Sequence, residues 1–169
     1  MSGIIEGKAY ILGDDINTDD IVPSHTLTMR DAEEMAEYTL EFIDPNFVKK
    51  AKEISTIIIA KENFGTGSSR EEAVNVFKIL GIKAIIAKSF SRIYFRNLIN
   101  LGIPGITLDW KPSQFSKGNH LKIYLKEGKI VNKTNSQKIT FAKLPEFLMN
   151  LIKAGGAINL IRNQLDEEK

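Results

Sequence analysis

The segment Ser55 to Ala60 is uncharged and rich in β-branched residues, and Asn63-Phe64-Gly65-Thr66-Gly67-Ser68-Ser69-Arg70-Glu71-Glu72 follows it. An amphipathic segment, Ala73 to Leu80, comes next. This order predicts strand, glycine turn, helix. The two glycines allow positive φ and a close approach of backbone N–H groups to a ligand. Ser68 or Ser69 is expected to be the N-cap of the helix, which by itself would explain the serines. The alternative is an anion site built from free N–H groups, the positive helix end and the guanidinium fork of Arg70. The turn is not a P-loop, because no Lys follows its second glycine, and Gly-x-Ser-x-Gly is absent.

The rest of the chain supplies partners for that first strand. Gly7 to Leu12 alternates apolar and polar residues, and Ala84 to Ala87 and Ile103 to Leu108 are further strand candidates. Helices are expected over Ala32–Leu40 with Asp31 as N-cap, over Phe47–Lys52, and over Phe90–Leu101 with Ser89 as N-cap. The strand-helix alternation implies a parallel sheet with right-handed crossovers. After Trp110 the pattern changes. His120–Leu125, Ile130–Thr134 and Lys138–Ala142 read as antiparallel strands. Pro145 is placed at N1 of a helix over Glu146–Ala154, a short helix follows through Leu165, and Asp166 to Lys169 read as a frayed tail. The expectation is an α/β fold in one domain, residues 1–169, with a parallel sheet and a smaller antiparallel sheet.

Composition narrows the function classes. The formal net charge of +2 is close to neutral, and no basic stripe or polybasic segment marks a nucleic-acid or membrane partner. Met1 to Glu6 lack a signal-peptide pattern, and a cytoplasmic location is expected. The chain has no cysteine and only two histidines, His25 and His120, so a metal or iron–sulfur centre would have to come from another polypeptide. Neither histidine sits in a triad context, which disfavours a serine hydrolase. Gly13-Asp14-Asp15-Ile16-Asn17-Thr18-Asp19-Asp20 reads as a solvated acidic loop or an Asx turn, and it lacks the calcium-loop pattern.

Three stretches together resemble a known family: Gly13 to Pro23, Asn63 to Glu71, and Ala84 to Pro104. They look like the small subunits of 3-isopropylmalate dehydratase and of homoaconitase, which are similar to the swivel domain of aconitase. The resemblance implies a three-layer swivelling β/β/α domain that works with a large subunit carrying a [4Fe-4S] cluster. It implies dehydration and rehydration of a branched di- or tricarboxylic acid, with the cluster iron as Lewis acid. It makes Ser68 the base and assigns a substrate carboxylate to Arg70 and a hydrogen bond to Ser69. Asp19 matches an acidic active-site position. Leu27, Thr28 and Arg30 fall in the segment where family members choose their substrate. A neutral Thr28 leaves a third carboxylate without a countercharge, which favours isopropylmalate in leucine biosynthesis over homoaconitate. Thr66 stands where many relatives have Cys, and Glu72 where many have His. Self-association of the isolated chain is left open. The reading from another class is a stand-alone anion-binding regulatory module.

Overall fold

The computed structural model describes residues 3–168, so Met1, Ser2 and Lys169 lie outside it. Four parallel strands, β1 (Ile4–Ile11), β2 (Thr56–Ala60), β3 (Ala84–Ala87) and β4 (Gly105–Thr107), precede three antiparallel ones. These are β5 (His120–Tyr124), β6 (Lys129–Asn132) and β7 (Gln137–Thr140). The parallel and antiparallel sets are not separate sheets. They join in one seven-stranded sheet ordered β4-β3-β2-β1-β5-β6-β7. The junction is β1, which begins three residues earlier than the alternation at Gly7 implied. Its Lys8–Ile11 half pairs parallel with β2, and its Ile4–Lys8 half pairs antiparallel with β5. Local patterning does not reveal such sharing, because one strand satisfies both neighbours with different stretches of its backbone.

Every residue of β2 and β3 is buried, as expected for strands covered on both faces. Alternate residues feed two apolar clusters. Ile58, Ala60, Ile85 and Ala87 join residues of α2 (Ala32–Ala36), α3 (Phe47–Glu53) and α4 (Glu72–Ile79). Ile57, Ile59, Ala84 and Ile86 join Trp110, Phe115 and residues of α6 (Glu146–Ala154). Between the two clusters α5 (Arg92–Asn100) gives Tyr94 and Leu98 to the first and Ile99 to the second.

Several helix boundaries differ from expectation. Asp31 does cap α2, accepting from the Glu33 N–H, but the helix stops at Ala36. Leu40 takes a positive φ of 56° and sends its N–H to the Ile21 carbonyl, which prevents helical continuation. Pro145 is the residue before α6 rather than its first residue. The last helix, α7 (Ala157–Glu167), runs past Leu165 and takes in Asp166 and Glu167 of the segment expected to fray. No helix among the described residues is long and apolar enough to cross a membrane.

The glycine turn is pinned from three sides. The Gly65 N–H donates to the Ile16 carbonyl at 2.7 Å, and the Thr18 N–H donates to the Thr66 carbonyl at 2.8 Å. The Phe64 N–H donates to the Ser89 carbonyl, and the Ser91 N–H donates back to the Phe64 carbonyl. Gly65 has φ +83°, and a Cβ there would lie 2.1 Å from Cγ of Tyr94. The Tyr94 ring thus occupies the space that a side chain at residue 65 would need. Its hydroxyl donates to the Ala73 carbonyl at 2.8 Å, which ties α5 to α4.

On the α2–α4 side of the sheet, Tyr10 of β1 and Lys50 of α3 both donate to Asp44, Lys50 at 2.9 Å. The Tyr10 and Lys50 hydrogen bonds lower the Asp44 carboxyl from its ordinary 3.8 to about 2. A folded-state value below the unfolded one contributes stability that is present above pH 4 and lost as pH falls toward 2. Thermal unfolding followed over that range should therefore show an acid-labile contribution that Asp44→Asn removes, while Asn keeps an acceptor for the Asn46 N–H. Gly65→Ala should lose about 3 kcal/mol in denaturant unfolding, from the positive φ and the overlap with Tyr94 together.

Candidate functional site

The turn ends without the expected cap. α4 starts at Glu72, and its N-cap residue, Glu71, makes no side-chain bond. Ser68 and Ser69 lie before the helix and are exposed. Their hydroxyls have no hydrogen-bond partner among the described residues. The capping explanation for the two serines is thereby overturned. Ser89 is not a cap either. Its hydroxyl accepts from the Asn63 N–H at 2.7 Å and donates to Glu62 at 2.8 Å, so it clamps the turn instead. The residue before α5 is Ser91, whose side chain makes no cap bond.

The acidic segment keeps Asp14, Asp15 and Asp19 exposed but is ordered by side-chain bonds to the backbone, of the kind an Asx turn makes. Asn17 and Asp20 form a reciprocal capping box on α1 (Thr18–Ile21), with bonds of 2.9 and 3.0 Å. Asp14 accepts from the Glu62 N–H, and Asp15 accepts from the Asn63 side chain. That leaves Asp19, which points to Arg70: Oδ1 lies 2.8 Å from Nη1. The Arg70 side chain is 24% exposed and that of Asp19 63%. The contact is an ion pair that falls outside hydrogen-bond geometry. A half-exposed partner of this kind is readily exchanged for another carboxylate.

Ser68, Ser69 and Arg70 line one small cleft with Thr18, the two turn glycines, and Ser91, Ile93, Tyr94 and Asn97 from the start of α5. Its volume of about 20 Å³ admits a group the size of one water. Ser91, the residue before α5, lines the cleft, so the positive start of α5 lies beside the serines, a neighbour the sequence reading had not placed there. Burial pushes the Tyr94 phenol well above its ordinary value, so it stays a neutral donor to Ala73.

Of the residues singled out from sequence, Ser68, Ser69 and Arg70 share the cleft, and Asp19 reaches it through Arg70. Leu27, Thr28 and Arg30 do not line it. They are exposed on the segment that follows a 3-10 turn at Ser24–Thr26. Thr18 and Ser91 were missed. Each enters the site through backbone bonds to the turn, Thr18 to Thr66 and Ser91 to Phe64, and no local signal announces those bonds. The sequence has no cysteine, and no three His, Asp or Glu side chains gather into a metal-holding group among the described residues.

The aconitase C-terminal domain model matches residues 10–111, which contain the whole cleft. The chain is 39% identical over 164 residues to the 3-isopropylmalate dehydratase small subunit 1 of Methanopyrus kandleri, covering 97% of this chain and 96% of that one. It is 37% identical, over the full length of both, to the isopropylmalate/citramalate isomerase small subunit of Methanocaldococcus jannaschii. The crystal structure of 3-isopropylmalate dehydratase from Methanocaldococcus jannaschii superposes with a TM-score of 0.89 at 39% identity, covering 98% of this chain and 97% of that one. With a matching domain model, full-length relatives and a matching fold, this chain belongs to the family of 3-isopropylmalate dehydratase small subunits, built on the aconitase C-terminal, or swivel, domain.

Proposed function

We propose that this chain is the small subunit of a cytoplasmic 3-isopropylmalate dehydratase, interconverting 2- and 3-isopropylmalate in leucine biosynthesis when paired with a large subunit. The observation that carries the reading is a half-site: an exposed, unbonded Ser68 hydroxyl beside Arg70, in a cleft too small to enclose a dicarboxylate. A second surface has to complete it, which disfavours a stand-alone anion-binding module. The sequence has no cysteine to hold a [4Fe-4S] cluster, so in this reading the cluster belongs to the large subunit.

The work of this chain is positioning and proton transfer. Arg70 holds a substrate carboxylate, displacing Asp19 from the ion pair. Ser68 accepts the proton from the carbon next to the one that carries the hydroxyl, and returns it on rehydration. A serine oxygen can do this only where its anion is stabilised. Arg70 and the positive start of α5 supply that stabilisation. Ser69 adds a hydrogen bond to the substrate. Leu27, Thr28 and Arg30 form an exposed edge outside the cleft, suited to the substrate's branch rather than to its reacting atoms.

A second reading adds citramalate as a substrate. It rests on the full-length relative named for both acids.

Mixing the chain with a cluster-loaded large subunit should give turnover of isopropylmalate. Neither chain alone should do so, and no turnover by the pair would overturn the reading. Ser68→Ala should lower kcat of the pair by at least about 10²-fold, the range for a positioned base. It should leave stability within about 0.5 kcal/mol, since Ser68 caps nothing. Thr28→Arg should shift the preference in a substrate panel toward acids with a third carboxylate. An unmoved preference would remove that segment from substrate selection.

A further inference from the structure

Among the described residues, two buried side-chain polar atoms lack a hydrogen-bond partner: the Thr18 hydroxyl and Nη1 of Arg70. Both residues line the Ser68 cleft. Thr18 is 1% exposed, so water outside the protein does not satisfy its hydroxyl. Its backbone is fully engaged, the N–H with Thr66 and the carbonyl with the Val22 N–H. A threonine inside a helix can turn its hydroxyl onto the carbonyl four residues back. Thr18 is the first residue of α1 and has no preceding helical turn to accept it. Gly67 keeps the neighbouring space clear, since a Cβ there would stand 3.0 Å from the Thr18 oxygen.

Buried hydroxyls in folded proteins are nearly always bonded. Here the orphan Thr18 hydroxyl and Arg70, whose Nη1 lies 2.8 Å from the exchangeable Asp19 carboxylate, belong to residues lining one cavity of about 20 Å³, the size of a single oxygen-bearing group. A free hydroxyl donor in the same cleft as a guanidinium that already holds a carboxylate suits an anionic acceptor. We propose that Thr18 is a substrate-binding residue whose hydroxyl donates to one oxygen of the carboxylate held by Arg70. The assignment rests on the dicarboxylate reading given above and adds to it the group that fixes the carboxylate's orientation.

The test uses the complex with the large subunit and compares wild type with Thr18→Val and Thr18→Ser. Malonate is the dicarboxylate probe, titrated by calorimetry. Thr18→Val should weaken malonate binding by about tenfold, and Thr18→Ser should stay within about twofold of wild type. The Val variant should melt at the wild-type temperature or above, because the lost hydroxyl had no partner within the fold. Equal malonate affinity for Val and wild type overturns the assignment. So does a wild-type complex that fails to bind malonate, or a Val variant that melts several degrees lower, as a purely structural or water-bridging hydroxyl would require. A tenfold malonate difference in a complex that does not turn over isopropylmalate supports the Thr18 assignment and removes only the substrate named above.

Discussion

The ring of Tyr94 stands where residue 65 would carry a side chain, and the placement of the serines follows from that contact. With glycine there, the turn after β2 can lie directly against α5. Its backbone then reaches Ile16 on one side and Ser89 on the other. A larger residue would lift the turn off the helix and draw Ser68 away from Asn97 and Ser91. The cleft is thus made by three segments far apart in sequence, held together by backbone bonds and one aromatic ring. Its exposed hydroxyls owe little to their immediate neighbours.

Charge at the cleft follows a similar economy. Asp14, Asp15 and Asp20 are committed to holding the chain, and Asp19 alone faces Arg70. The free subunit therefore keeps its guanidinium neutralised without burying a matched pair, which would be costly to open. The two departures from the family pattern sit easily with this arrangement. Thr66 contributes its carbonyl to Thr18, a bond that does not depend on the side chain. Glu72 is exposed in the first turn of α4, where a negative charge favours the helix.

Much of the architecture was legible because its signals are local. The Ile57–Ile59 run, the short strands after it and the Asp31 cap each depend on residues near one another. The serine caps misled because Ser68, Ser69 and Ser89 have the right chemistry in the right order. The helices nevertheless start later, at Glu72 and Arg92, once the turn is drawn toward Ile16 and Phe64. Helix α1 went unseen because the Asn17–Asp20 box is a four-residue feature inside a run of turn formers. Ser68 and Arg70 could be recognised as a motif. Thr18 joins them only through the fold, by a bond to Thr66 that no spacing rule predicts.

The central strand has a consequence for how the chain is made. All the other parallel strands and the cleft residues lie between β1 and β5 in the chain, so they leave the ribosome before β5 does. Until then the Ile4–Lys8 edge has no neighbour, since its partners are His120 to Tyr124. An unpaired strand edge invites pairing with other chains. Glu6 and Lys8 are exposed on that half of β1, and charge of this kind disfavours edge-to-edge pairing. In the finished protein Glu6 meets His120, Lys122 and Lys133, so a residue that deters wrong neighbours early goes on to fasten the right one.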